Sequence, residues 1–145
     1  MDVNIDKVRK ITSEILRALR LLEELARLPQ EEFQADPHKI GSAKYNLIVA
    51  IEGVVDLCHH LIARRGFRTP EDYSDTLRVM KEEGVLDEKF TSTLIQMVRF
   101  RNRLIHIYWD LDVKEIYKIL QTRLEDIQRF LREFKVFLDK TQRPP

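Results

Sequence analysis

Hydrophobic residues recur at every third or fourth position along most of the chain. The first such run begins at Ile5 and ends near Pro29, and the second begins at Asp36, which precedes a proline, and continues to Gly66. This spacing places apolar side chains on one face of an α-helix, and glycine is favoured just beyond the last helical residue. We therefore predict two long amphipathic helices, joined by a polar connection over residues 30–36.

The second half of the chain continues the pattern with three further runs. A short run covers Tyr73 to Glu83, a longer one begins after Asp87, and a last one extends from Asp112 to Leu138. Aspartate is favoured at the residue that precedes a helix. No strand-like alternation interrupts these runs, and short loops favour antiparallel neighbours. The pattern predicts an all-α fold, an antiparallel four-helix bundle with one additional short helix.

Length and composition narrow the class of protein. A chain of 145 residues without a linker-like segment fits one domain, which we place over residues 1–145. The formal net charge is +1 with 34% charged residues. No field over the whole molecule therefore draws it to nucleic acid or membrane, and any anion site is a local patch. The single cysteine, Cys58, lies in an apolar run, where we expect a reduced, buried thiol.

Two features of the sequence concern location. The N-terminal residues lack the basic region and apolar run of a secretory signal. The most apolar stretch, Leu47–Val55, is shorter than the roughly 20 residues that a membrane-spanning helix needs, and it contains Glu52. Together with the reduced cysteine, these features predict a cytoplasmic protein with no membrane partner.

One stretch at the end of the fourth predicted run gathers groups that suit a phosphate. It offers the permanently charged guanidinium of Arg101, the amide of Asn102, the imidazole of His106 and the phenol of Tyr108. An imidazole has an ordinary pKa of about 6.5, which suits proton transfer near neutrality. We therefore place the candidate catalytic site in this stretch.

The helical spacing within this stretch leaves alternatives open. Five residues of an ideal helix turn the side chains of Arg101 and His106 about 140° apart. Either the helix loosens at its end, or the arginine and histidine of two subunits meet across a dimer axis, while Asn102 stays an i,i+4 neighbour of His106. A purely structural alternative also exists, in which Arg101 pairs with an acidic neighbour and His106 caps the helix.

The second predicted helix carries polar residues that bear on the same site. Glu52, Asp56 and His60 follow one another at i,i+4 spacing, so they can support His106 or form plain surface pairs. A di-metal bundle requires Glu-x-x-His pairs on two helices, whereas Asp56 and His59 offer only a weak imitation. We expect no metal and no cofactor.

Two arginine clusters form a candidate RNA-binding patch despite the nearly neutral total charge. Arg65 belongs to the cluster that follows the second helix, and Arg103 to the cluster near the end of the fourth. The members of the two clusters are Arg64, Arg65 and Arg68, and Arg99, Arg101 and Arg103. Alternation with apolar positions means that some of these arginines can instead be simply solvated.

The order R-x-x-x-x-H-x-Y, which begins at Arg101, resembles the signature of HEPN-domain ribonucleases, and specifically of the HepT toxin family. The resemblance extends over about residues 4–138 and is most specific in Phe100–His106 and in the turn Gly66–Pro70. It implies a small all-α toxin that forms a homodimer and cuts RNA without metal. It also implies neutralisation by a nucleotidyltransferase antitoxin, MntA, in a type II/VII-like toxin–antitoxin pair.

The resemblance assigns a role to each residue of the motif. His106 becomes the general acid or base, Arg101 stabilises charge on the phosphate, and Asn102 orients that phosphate. Tyr108 becomes the acceptor of AMP from the antitoxin, and the added phosphodiester repels RNA and fills the site. Two alternatives stand beside this interpretation. One is a non-catalytic dimeric helical module that binds a nucleotidyltransferase, and the other is a generic four-helix metal or ligand protein.

Overall fold

The computed structural model describes residues 2–107 and 110–142. This part of the chain forms seven helices and no strand, which confirms the predicted all-α fold. In chain order the helices are α1 (Ile5–Ala26), α2 (Gln30–Gln34), α3 (Pro37–Arg65), α4 (Tyr73–Glu82), α5 (Glu88–His106), α6 (Val113–Thr122) and α7 (Leu124–Thr141).

Helix α3 is the centre of the bundle and packs against each of the other helices. Its tightest neighbour is α1, because Gly53 of α3 lets the backbone approach the buried side chain of Ile15. Cys58, also on α3, is fully buried, as expected. By length and composition α3 is apolar enough to cross a membrane, but 67% of its most apolar window is buried inside the fold. Its apolar character therefore serves the core.

The residues predicted to bound the helices do so through identifiable contacts. Asp36, Asp87 and Asp112 each precede a helix, and the carboxylate of each accepts a backbone N–H of the first turn at 2.7–2.9 Å. These bonds satisfy donors that have no partner within the helix. Gly66 ends α3 with a φ of 67°, a conformation that costs little only for glycine.

The predicted polar connection over residues 30–36 contains a short helix, α2. Its side chains are polar except for Phe33, which is fully buried and holds α2 against the core. The Phe33 ring packs against the ring of Tyr117, with 5.6 Å between their centroids. A single apolar residue shows no period, so the sequence pattern did not reveal this turn of helix.

The last predicted helix is divided into α6 and α7. The break lies at Arg123, whose φ of −120° and ψ of −8° depart from helical values. Helix α6 is tied to the end of α1 because the Tyr117 hydroxyl donates to the carbonyl of Leu28 at 2.5 Å and Gln121 donates to the carbonyl of Ala26 at 2.6 Å. Helix α7 then turns to pack along α3 and α1.

Candidate functional site

Helix α5 carries Arg101, Asn102 and His106 in one unbroken α-helix. The backbone N–H of Ile107 donates to the carbonyl of Arg103 at 2.9 Å and closes the last turn. The alternative in which the helix loosens before His106 is therefore wrong for this chain. Within one chain Arg101 and His106 lie on different sides of α5.

Arg101 lies where α3, α4 and α5 meet. Its side chain is only 13% exposed, and its guanidinium forms an ion pair with Glu52 of α3. The same guanidinium stacks over the ring of Tyr73, 4.8 Å from the centroid, and Nη1 donates to Oδ1 of Asn102 at 3.0 Å. A stacked, paired guanidinium has a defined orientation. The ion pair that the structural alternative expects for Arg101 is present in the isolated chain.

The face of α3 that holds Arg101 is polar over two turns. Asp56 follows Glu52 by one turn, and partial desolvation together with the Glu52 charge raises the pKa of its carboxyl. His59 follows, with Nε2 3.0 Å from the hydroxyl of Thr76 and its ring edge-on to Tyr73. Within the described residues no group of three or more His, Cys, Asp or Glu side chains is placed to hold a metal ion. The contacts described for this face run to Arg101, Tyr73 and Thr76.

Unlike the paired, mostly buried side chain of Arg101, the side chain of His106 has no partner among the described residues. This histidine is the last residue of α5, its side chain is exposed, and its ring forms no hydrogen bond with another described residue. Arg99 and Arg103 precede it by seven and three residues, so all three lie along one stripe of the helix. An exposed, unengaged imidazole at a helix end is available for proton transfer.

Arg103 is engaged within the fold. Its guanidinium forms two hydrogen bonds with the carboxylate of Glu115 on α6, both 2.8 Å long. These bonds raise the pKa of Arg103 and lower that of Glu115. Arg103 therefore joins α5 to α6, and its charge is largely balanced in this structure.

The structure places His60 and Arg65 away from Arg101, in contact with the N-terminal and C-terminal segments of the chain. Nε2 of His60 accepts the backbone N–H of Asn4 at 2.9 Å, and burial followed by two nearby cations lowers the pKa of its ring. Arg65 donates to the carboxylate of Asp2 and to the hydroxyl of Thr141, both at 2.9 Å. Both side chains therefore fasten terminal segments to α3. The predicted AMP acceptor, Tyr108, lies outside the described residues.

Sequence reasoning missed two members of the cluster around Arg101, the ring of Tyr73 and the imidazole of His59. A helical signal for His59 existed, because seven residues after Glu52 brings a side chain back to within about 20° of the same direction. Eight residues, the spacing of His60, leave it about 80° away. Tyr73 belongs to a different helix, so no spacing along the chain predicts it.

Comparison with known proteins bears on this site. The family described as Ribonuclease HepT-like matches residues 15–134. The mRNA nuclease HepT of Shewanella oneidensis is 23% identical over 104 residues, which are 72% of this chain and 78% of that protein.

Two solved structures share the fold. The cytosolic protein YutE of Bacillus subtilis superimposes with a TM-score of 0.85 at 20% identity, over 99% of this chain and 96% of that one. A tri-AMPylated HEPN toxin of Shewanella oneidensis, solved in complex with an MNT antitoxin, superimposes with a TM-score of 0.82 at 20% identity, over 89% of this chain and 96% of that one.

The matched region contains α3, α4 and α5, and with them Glu52, Tyr73 and the stretch from Arg101 to His106. The family match therefore covers the whole cluster around Arg101 as well as the exposed histidine. It also confirms the resemblance that the R-x-x-x-x-H-x-Y motif predicts. The chain belongs to the ribonuclease HepT-like family.

Proposed function

We propose that this protein is a metal-independent endoribonuclease toxin that works through Arg101 and His106. The observation that supports it most strongly is that α5 carries one fixed cationic side chain and one exposed imidazole. A guanidinium is held in place by Glu52 and Tyr73, while an unengaged imidazole stands at the helix end. These are the two groups that phosphodiester cleavage needs, a fixed cation for the phosphate and a group that moves protons. Membership of a ribonuclease family supports the choice of RNA as substrate.

The active site is shared between two subunits in this proposal. An unbroken α5 turns Arg101 and His106 about 140° apart, so one phosphate contacts Arg101 of one copy and His106 of the other. Exposed apolar side chains adjoin these residues: Ile105 is 39% exposed and Ile107 40%. Tyr45, seven residues before Glu52 on α3, is 66% exposed. Apolar surface next to an incomplete site favours a homodimer.

The chemistry then follows from the ribose. The 2′-oxygen attacks the phosphorus, its proton passes to a general base, the bond from phosphorus to the 5′-oxygen breaks, and that oxygen receives a proton from a general acid. His106 of the other copy serves as the base or as the acid of this step, and the remaining proton is exchanged with solvent water. Arg101 stabilises the negative charge that develops on the phosphate oxygens, and Asn102 orients the same group.

The partner in this proposal is a nucleotidyltransferase antitoxin in the cytoplasm. The Shewanella oneidensis HEPN toxin of the same fold is tri-AMPylated and bound to an MNT antitoxin. Tyr108 follows His106 by two residues in the sequence, so AMP on its phenol would add bulk and negative charge to the same stretch of chain as the imidazole. That charge opposes the RNA phosphate and blocks cleavage.

Cleavage of total cellular RNA in excess EDTA tests the proposal. We expect the wild-type protein and Tyr108→Phe to cut, and His106→Ala to be inactive. His38→Ala removes an exposed histidine at the start of α3 and serves as the matched control, which should cut normally. Loss of all cutting on chelation would contradict metal independence. An inactive wild-type protein that still binds a nucleotidyltransferase would instead support the non-catalytic binding module.

A further inference from the structure

A groove of about 560 Å³ opens between α5 and the turn that joins α6 to α7. Its floor is apolar and includes Ile51, Phe100 and Ile127, while Thr93 and Gln96 offer polar groups on the α5 side. Such a combination of an apolar floor and a few polar groups is typical of a ligand site. The roles described above for Arg101, Asn102 and His106 do not use this groove.

The rim of the groove is strongly positive. Four cations line it, Arg99, Arg103, Lys118 and Arg123, against the single carboxylate of Glu115. Glu115 is already balanced by two hydrogen bonds from Arg103. The lining therefore carries a net positive charge that calls for an anion.

Two of these cations, Arg99 of α5 and Lys118 of α6, are free to bind that anion. Both side chains are exposed, and neither forms a hydrogen bond or an ion pair with another described residue. They stand on the two helices that flank the groove. The other two are engaged, since Arg123 lies 3.6 Å from Asp126. A phosphate between Arg99 and Lys118 would therefore meet two unpaired positive charges.

The groove lies on the same side of α5 as the catalytic imidazole. His106 follows Arg99 by seven residues, which corresponds to a rotation of about 20° and a rise of about 10 Å. At roughly 3.4 Å or more per nucleotide, two or three consecutive nucleotides of one strand cover such a distance. Arg101 lies on the other side of the helix, against α3 and α4.

We propose that this groove is an RNA-positioning site, which holds a nucleotide of the substrate strand that flanks the scissile phosphate. Arg99 and Lys118 bind its phosphates, the apolar floor receives the face of its base, and Gln96 reaches the edge of that base. Cations along the backbone path and apolar contact with bases are the usual means of holding single-stranded RNA. This site rests on the ribonuclease activity proposed above and extends it to substrate positioning.

The test compares two charge-reversal variants in a His106→Ala background, so that the RNA stays intact. The first is Arg99→Glu with Lys118→Glu. The matched control is Arg9→Glu with Arg20→Glu, since these cations are also exposed and unpaired among the described residues but line a different groove, between α1 and α7. Both variants change the net charge equally. Binding of a fluorescent single-stranded RNA is followed by anisotropy over a range of salt concentrations.

We expect the Arg99 and Lys118 variant to lose RNA affinity on the order of 10-fold. The slope of the logarithm of its binding constant against the logarithm of the salt concentration should become less negative by about 1.4, as for two lost phosphate contacts. The control should change affinity less than about 2-fold at physiological salt, where remote charges are screened. Equal losses in both variants would show a general charge effect and overturn the site.

Kinetics separate failure of this site from failure of the proposed activity. In the active protein the Arg99 and Lys118 substitutions should raise KM for RNA more than they lower kcat. If the wild-type protein cuts RNA and these substitutions change neither KM nor binding, the groove plays no part and the activity stands. If the wild-type protein binds RNA through the groove without cutting it, the site stands and the nuclease proposal fails. A wild-type protein that neither binds nor cuts RNA contradicts both.

Discussion

Replacing Glu52 by glutamine tests how Arg101 is held. The substitution keeps the shape of the side chain and an oxygen acceptor but removes the negative charge. The Arg101 side chain is 13% exposed and that of Glu52 37% exposed, so the guanidinium would stay partly buried without an anion. A hydrogen bond between charged groups contributes about 1.5–3 kcal/mol. The partial exposure of Glu52 reduces this figure, and we expect a loss of about 1–2 kcal/mol of unfolding free energy.

Loss of the Glu52 charge also has a small stabilising effect, through Asp56. The Glu52 charge helps to raise the pKa of Asp56, so its removal relieves some repulsion between two carboxylates one turn apart, worth a few tenths of a kcal/mol. The net loss corresponds to a fall in melting temperature of about 2–8 °C for a domain of this size. Chemical denaturation at pH 7, followed by circular dichroism, measures the free energy directly.

Glu115→Gln is the matched control for Glu52→Gln. Glu115 also pairs with an arginine of α5, but that arginine, Arg103, has a side chain 46% exposed. A solvated pair of this kind contributes about 0–1 kcal/mol. If the two variants lose the same stability, or if Glu52→Gln is the more stable of the two, the half-buried pair does not hold Arg101 as argued.

Three further predictions concern the stability of the fold, at His60, Asp75 and Gly53. The ring of His60 accepts a backbone N–H in its neutral form, and its pKa is lowered. The fold is therefore most favoured above the unfolded pKa of about 6.5, and this contribution is lost as pH falls through the lower folded value. The protection of amides at the start of α1 against hydrogen exchange, relative to the unfolded chain at the same pH, should fall over that interval in wild type but not in His60→Gln. For Asp75, hydrogen bonds from Arg68 and from a backbone N–H lower the pKa from 3.8 to about 2. Its contribution to stability is thus complete above 3.8 and is lost as pH falls towards 2, so Asp75→Asn should flatten the acid limb of the unfolding curve, and an unchanged limb would refute the assignment. A Cβ at Gly53 would lie 2.8 Å from Cδ1 of the buried Ile15. Overpacking of this kind costs about 1–3 kcal/mol, and a helix-propensity gain of about 1 kcal/mol offsets part of it. Gly53→Ala should therefore lose up to about 2 kcal/mol in thermal unfolding, whereas the open position Gly41→Ala should stabilise.

The parts of the fold that sequence reasoning predicted are those with a repeating signal. Helices α1, α3 and α5 carry long apolar periods. Asp36 and Asp87 cap the starts of α3 and α5, and Gly66 ends α3. Helix α2 depends on one buried residue, Phe33, which has no period. The break at Arg123 depends on α6 being tied to the end of α1 by hydrogen bonds from side chains far away in sequence. Contacts of this kind follow from tertiary packing and leave no mark on the local pattern.

The candidate site divides in the same way. Arg101, Asn102 and His106 lie in one helix, so the motif and the helical rotation could be predicted from their spacing. The partners of Arg101 come from two other helices, and only the packing of α3, α4 and α5 reveals them. The expectation for His60 depended on counting in steps of four, which drifts by about 40° each time and leads away from the site after two steps.

The pairing of Arg101 with Glu52 is compatible with binding a phosphate. A guanidinium has five N–H donors, of which Nη2 supplies one to Glu52 and Nη1 supplies one to Asn102. One further N–H remains on each Nη, and stacking on Tyr73 fixes the plane in which both point. Donors held in a fixed plane can bind the oxygens of a phosphodiester. In the proposed function the arginine is oriented before RNA arrives, so little side-chain entropy would be lost on binding. The proton-transfer role that we propose for His106 needs the opposite property, a ring without fixed partners. The His106 ring is exposed, on the other side of the helix from Arg101, and forms no hydrogen bond with another described residue.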